Sequence, residues 1–449
     1  MTYALVVMKI LISIGTLGLG GAEKQAVWLA NRLSEHHDVT LLTYHGGVRE
    51  KDLSPNVDWE TIFEIEVHGQ ELDIHPGDSI GLEQPNSPQS ITTKATKYIQ
   101  VTSNNFFSKQ ALKWNAKALI RLMGLNKIFV SIVYKFALTL RKLMYRLTMP
   151  KLRGILKSHS YVFRQARKKL KNAKPDLIIT FLFHDTLNIG LASLLQLKRP
   201  RLIVGRRSPI GYGDNSRKLI DRIMLRVIYK FSSLAVTNSS GNLESAFHDG
   251  LAENKIIHIN NFVKSQDSQL ELNNSEETNL ICVANFFEYK NHRNLIVALS
   301  AIDSETKFQV TFVGEGPTRA EMIALSSDLK LNAVFYTHEE QAKNGLLKAN
   351  FVLLPSFHEG SSNVLLEGLA KGIPAIVTNV GHVPTLVKMG APFSVSNGTD
   401  SKSLGAALQD GLESESRLRK EASNFKLIIE RDFSEAKILQ DWLQLIESD

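Results

Sequence analysis

Cysteine is nearly absent from this 449-residue chain: Cys282 stands alone. An internal disulfide is therefore excluded, and the usage fits a reducing compartment. Long apolar runs are missing as well. No stretch reaches 18 apolar residues, so no membrane-spanning helix is expected. The apolar start, MTYALVVMKILISIG, carries Lys9 early and lacks a small-residue cleavage site. It reads as a first strand rather than a signal peptide, with Met8 as an alternative start. The third absence is local. Between Glu83 and Asp176 there is no Asp or Glu, while 20 Lys and Arg fall there. Setting those 20 aside leaves 33 basic residues against 45 acidic ones, so the net charge of +8 comes from this stretch. Its aromatic residues include Phe106, Trp114, Tyr134 and Phe163. Basic and aromatic residues on helical segments fit an anionic membrane surface; a solvated helical face is the other open reading. No recognised nucleic-acid module is present, and no nucleic-acid partner is expected.

What remains has the make-up of a folded α/β protein. The chain is 43% apolar and 22% charged, and its length calls for two or three domains. KILISI, the glycine-rich turn GTLGLGG, the amphipathic AEKQAVWLANRL and DVTLLTY form one βαβ unit. Further strands follow at DLIITFLF, RLIVGRRSP, LAVTNS and IIHINNF. After a polar stretch, alternation resumes with LICVAN, FQVTFVG, NAVFY, FVLLPS and PAIVT, each next to helical patterning. Two such runs predict two doubly wound, Rossmann-like parallel sheets. The expected organisation is a first domain over 1–263 with a basic helical insertion at about 84–175, and a linker over 264–279. A second domain spans 280–432, and a last helix over 433–449 packs back toward the first domain.

Two glutamates, Glu359 and Glu367, lie eight positions apart in SFHEGSSNVLLEGLAKG. Glu359 follows the strand FVLLPS, where ligands of open α/β sheets bind. Ser361 or Ser362 is the expected N-cap of a helix over Asn363–Lys371, with Gly372 ending it. The backbone N–H groups of Ser362, Asn363, Val364 and Leu365 then make an anion site suited to a phosphate. Carboxylates beside a phosphate are repulsive unless they bind hydroxyls, which points to a nucleotide sugar. Lys290 is placed at the same rim as a counter-charge, and the turn around Gly314 and Gly316 leaves room for a ring. Gly20 and Gly21 open a second helix N-terminus in the first half.

These residues resemble a retaining glycosyltransferase of family 4, the group 1 type with the GT-B fold. The resemblance is carried by Glu359 and Glu367, by GGAE at Gly20–Glu23, by VGEGP at Val313–Pro317, by Lys290 in ANFFEYKNH, and by the turn holding Ile259 and Asn261. It covers nearly the whole chain except about Leu53–Leu170. It implies that Glu367 binds the ribose, Glu359 the sugar hydroxyls and Lys290 the diphosphate, without a metal or other cofactor. Asn285 stands where the family has an arginine, and Gly381-His382-Val383-Pro384-Thr385 lacks the family's glutamate. The missing cation is expected from Arg206 or Arg207, which also resemble an acceptor-side loop that pairs with a lipid diphosphate; an ordinary basic loop remains open. His184, ending a strand, reads either as a histidine near the donor sugar or as a half-buried structural one.

The implied activity is transfer of a hexosyl or N-acetylhexosaminyl unit from a UDP- or GDP-sugar, with retention, to a lipid-linked or oligosaccharide acceptor. The setting is assembly of O-antigen, capsule or exopolysaccharide on the cytoplasmic face of the inner membrane, with the protein bound peripherally. The alternatives are a sugar-nucleotide-binding protein without transfer, or a GT-B epimerase.

Overall fold

The computed structural model describes residues 7–18, 20–63, 150–207, 224–264, 277–302, 307–337 and 339–448. Most of the expected basic insertion, including Phe106, Trp114 and Tyr134, lies outside these residues. So do Ser208 and Pro209 and most of the expected linker.

The first sheet has seven strands: β1 (Lys9–Ile14), β2 (Asp38–Thr43), β3 (Val57–Thr61), β4 (Leu177–Thr180), β5 (Arg201–Arg206), β6 (Leu234–Thr237) and β7 (Ile256–His258). Their order is β3-β2-β1-β4-β5-β6-β7. The second has six: β8 (Thr278–Val283), β9 (Phe308–Val313), β10 (Ala333–Tyr336), β11 (Phe351–Leu354), β12 (Ala375–Thr378) and β13 (Phe393–Ser396), in the order β10-β9-β8-β11-β12-β13. Neighbouring strands pair in parallel, for example Ile12 with Leu41 and Leu280 with Val310. Strands such as Leu177–Thr180 and Phe351–Leu354 are buried throughout, as sheets covered by helices on both faces require. Strand β8 begins two residues inside the expected linker, because Thr278 and Asn279 already pair with Phe308 and Gln309.

Each sheet reverses direction once, between β1 and β4 and between β8 and β11. Such switch points open a crevice beyond the strand C-termini. The loops there carry Gly20 and His184 in the first sheet, and Lys290 and Glu359 in the second.

The chain crosses between the two cores at two adjacent places. Val263 N–H donates to the Phe433 carbonyl at 2.8 Å, and Val263 bridges Ser434 in parallel. Before this crossing the helix Glu415–Asp432 buries Phe425 and Ile429 in the second core. After it the helix Glu435–Glu447 buries Ile438, Trp442, Leu445 and Ile446 in the first. Arg201 caps that last helix by donating to the carbonyls of Leu445 and Ile446, each at 2.7 Å. Among the described residues, no helix is long and apolar enough to cross a membrane.

Candidate functional site

The helix Asn363–Ala370 begins where sequence patterning predicts, one turn beyond Glu359. Its N-cap is one of the two expected serines. Ser362 occupies the N-cap position but makes no side-chain cap bond, and Ser361 Oγ lies 3.2 Å from His382 Nδ1 instead. The first backbone N–H groups therefore have no side-chain cap among the described residues. Gly372, at φ +74°, follows the helix as expected.

Glu359 is held from two sides. Lys290 Nζ and Ser356 Oγ both donate to its Oε1 at 2.7 Å. The pair is well enclosed, the side chains being 17% exposed for Lys290 and 10% for Glu359. Burial works to lower the Lys290 ammonium. The carboxylate of Glu359 more than offsets it and holds the lysine above its ordinary value. Glu367 takes a different partner. Lys24 Nζ, from the first turn of the helix Gly21–Leu33, donates to its Oε1 at 2.5 Å. This pair joins the two domains.

A net of amides surrounds that contact. Gln25 exchanges two bonds with the Phe262 backbone, giving Nε2 to its carbonyl at 3.2 Å and accepting its N–H at 3.1 Å. Asn261 Nδ2 donates to Asn363 Oδ1 at 2.8 Å, and Asn363 Nδ2 donates to the Gly21 carbonyl at 3.2 Å. Gly360 lies so close to the first domain that an added Cβ would stand 2.1 Å from the Arg207 carbonyl. Glycine is required there by contact, not by backbone angle.

Between the domains lies a cleft of about 930 Å³. Glu359, Lys290, His184, Gly20, Gly21, Asn285, Gly314, Ser362, Asn363, Val364 and Glu367 all line it. Three expected residues do not. Leu365 is 2% exposed and belongs to the second core. Gly316 shapes a turn: at φ +149° it packs against the Phe286 carbonyl, which a Cβ would meet at 2.5 Å. Arg206 is buried in an ion pair with Asp249 at 2.9 Å. Its neighbour Arg207 does reach the cleft, as the opposite facing of successive strand residues requires. Arg207 is committed nonetheless. It donates to Asn261 Oδ1 at 2.9 Å, and its guanidinium carbon lies 4.9 Å from the Phe181 ring centroid and 5.9 Å from that of Trp442. Burial lowers it to about 10, still charged at neutral pH. His184 is fixed through its backbone, its carbonyl accepting from Tyr44 and Asn188 at 3.0 Å each.

Sequence reading named Asn363 but missed Lys24 and Gln25, whose bonds to Glu367 and Asn363 span more than 300 residues. It also missed Tyr289, which lines the cleft and whose ring centroid is 5.3 Å from Lys290 Nζ. Among the described residues, the cleft's charged walls comprise six cations (Lys24, Arg49, Arg207, Lys264, Lys290 and Lys371) and three carboxylates (Glu23, Glu359 and Glu367). That excess of positive charge suits an anionic ligand. Val283, Ala284, Val313, Ala342 and Leu346 add an apolar recess beside the ends of β8 and β9.

Residues 263–426, which hold Lys290, Glu359 and Glu367, match the family of glycosyl transferases group 1. Over the whole length, this chain is 24% identical across 444 residues to a Campylobacter jejuni subsp. jejuni serotype O:2 protein. That relative is the GalNAc-alpha-(1->4)-GalNAc-alpha-(1->3)-diNAcBac-PP-undecaprenol alpha-1,4-N-acetyl-D-galactosaminyltransferase, and the match covers 98% of each chain. The Bacillus anthracis N-acetyl-alpha-D-glucosaminyl L-malate synthase is 29% identical over 168 residues, 34% of this chain and 44% of the relative. Among solved structures, Anabaena Alr3699/HepE in complex with UDP-glucose superposes with a TM-score of 0.67. The sequence identity is 15%, with 98% of this chain and 100% of that one covered. WaaG, a glycosyltransferase involved in lipopolysaccharide biosynthesis, gives 0.60 at 12% identity, with 98% and 100% covered. At these identities the likeness concerns the fold, and the fold is GT-B: two Rossmann-like domains facing a cleft.

Proposed function

We propose that this group 1 glycosyltransferase moves a hexosyl or N-acetylhexosaminyl unit from a nucleotide sugar, with retention, to a lipid-linked saccharide during cell-surface glycan assembly. The observation that carries the reading is the Lys290–Glu359 pair at the β8/β11 switch point, beside a helix start with uncapped N–H groups. The diphosphate lies on those N–H groups and on Lys290. The transferred sugar lies against Glu359, whose Oε2 keeps its acceptor capacity. The ribose lies against Glu367, and the base occupies the apolar recess. The Anabaena neighbour's complex with UDP-glucose supports a UDP-sugar as the first donor to try. The undecaprenol-linked acceptor in the Campylobacter relative's name supports a lipid-linked acceptor here. Such an acceptor calls for work at the cytoplasmic face of a membrane.

Retention fits a course in which donor and acceptor react on one face of the sugar, the departing diphosphate helping to take the acceptor proton. The protein then supplies positioning and charge stabilisation. No resident metal is needed, so EDTA should leave turnover unchanged.

A thermal-shift screen of UDP-, GDP- and ADP-sugars, followed by NMR of the product, tests this. An α-linked donor should give an α-glycoside; an inverted product rejects the mechanism. Slow hydrolysis of the donor without acceptor is expected. A protein that binds the donor yet neither hydrolyses nor transfers it would be the non-transferring alternative.

A further inference from the structure

Lys24 reaches the cleft from the domain opposite Lys290. Its bond to Glu367 is a poor fastener. The two side chains are 28% and 30% exposed, and ion pairs so open to water hold little. The domains are already joined by the Gln25–Phe262 exchange, the Asn261–Asn363 amides and the two chain crossings. Docking therefore does not require the lysine's charge.

The second domain, by contrast, brings Lys290 and Lys371 to the cleft, and Lys371 sits at the C-terminal end of the helix Asn363–Ala370, away from its N–H groups. At the β8 turn Lys290 is the cation, and the neighbouring cleft residue is the neutral Asn285. Arg206 and Arg207 do not relieve this, being tied to Asp249 and to Asn261. A nucleotide diphosphate brings about two negative charges, and Lys290 already shares its own with Glu359. An ammonium has three N–H donors; Glu367 takes one from Lys24, which leaves two for a ligand.

We propose that Lys24 is the second ligand of the donor diphosphate. It contributes from the N-terminal domain while keeping its bond to Glu367. The proposal rests on the reading of Glu367 as the ribose carboxylate, since ribose and its attached phosphate are neighbours in any nucleotide. One ion pair then serves two ends: binding the donor tightens the contact between domains, and closing the domains completes the phosphate site.

The test measures affinities of the full-length protein for whichever of UDP, GDP and ADP stabilises it most, and for the matching nucleoside. Lys24→Met removes the charge and keeps the length. It should weaken the nucleoside diphosphate about tenfold and the nucleoside less than twofold, with the melting temperature kept. Lys24→Arg should recover most of the loss. Equal weakening of both ligands would mean that the lysine merely props Glu367, and would overturn the proposal; so would no weakening of either. If none of the three diphosphates binds the unaltered protein, the donor-site reading itself fails and this proposal with it.

Discussion

Two lysine–glutamate pairs stand in one cleft, and their surroundings differ. Lys290 and Glu359 belong to a single domain, sit at the ends of neighbouring strands and are largely shielded from water. Lys24 and Glu367 come from different domains, 343 residues apart, and remain nearly one-third exposed. In the first pair low local polarity strengthens the attraction and fixes both groups before any ligand arrives. In the second, water screens the attraction, and the pair can give or accept bonds at little cost. The same two residue types thus make a preorganised charge site and an adjustable contact. The difference predicts that altering the first damages the chemical step, and altering the second damages binding.

The largest effect should come from Lys290→Ala. The diphosphate is bound in the ground state and gains charge as it leaves, so both kcat and KM should suffer. The loss also strands Glu359 in an enclosed setting. A fall of about 10³ in kcat/KM is expected from steady-state kinetics, with a lowered Tm. An unchanged kcat would place the diphosphate elsewhere. Glu359→Gln keeps the shape and both neighbours but removes the negative charge. As positive charge develops on the sugar ring, kcat should fall about 10²-fold while donor KM changes little. If instead KM rose and kcat held, Glu359 would be a binding group like its counterpart.

A third effect probes the wall behind Lys290. His292 is 2% exposed and stacks on Phe286 with ring centroids 4.2 Å apart. Burial first, and the charge of Lys290 second, lower its imidazole to about 4. His382 of the second domain, which faces His258 at the end of β7, is likewise lowered to about 4, by burial first and by His258 second. An unfolded histidine titrates near 6.5, so between these pH values the unfolded chain binds a proton that the folded one refuses. The stability these imidazoles contribute is therefore whole above about pH 6.5 and falls as the pH drops toward 4, by about 3 kcal/mol for His292 at the acid end. Replacing His292 by Phe should remove its share of the slope that urea melts show across this window; His382 keeps its own, and Asp185, pushed up to about 7 by burial, works in the opposite direction. A slope unaltered in His292→Phe would mean that the imidazole is solvated.

The sites whose partners are local were legible in the sequence. Glu359 could be placed because a buried apolar strand, a Gly/Ser turn and an amphipathic helix fix its position along the chain. Lys290 followed from the strand before it. The Arg206–Arg207 dipeptide was less readable: strand pleating sends one side chain to Asp249 and the other to the cleft, and register by sequence alone did not decide which. The serine cap was legible to within one residue: Ser362 takes the N-cap position, and Ser361 turns to His382 across a loop. Lys24 was invisible as a functional group. Its glutamate lies in the other domain, and no local pattern announces a partner at that separation.

The smallest effect is the one that separates the two pairs most cleanly. Glu367→Gln removes one charge from an ion pair that is nearly one-third exposed and leaves a side chain that still accepts a bond. The carboxylate faces a part of the donor that does not react, so its contacts are equal in the ground and transition states. Loss of such uniform binding raises KM and spares kcat. Donor KM should rise about tenfold, with kcat within about twofold of the unaltered enzyme. Stability should hardly move, because the amides of Gln25, Asn261 and Asn363 keep the domains joined. The ordering is the decisive part. Were Glu367→Gln to abolish turnover while Glu359→Gln left kcat intact, exposure and domain membership would not have told the two carboxylates apart, and their roles would have to be exchanged.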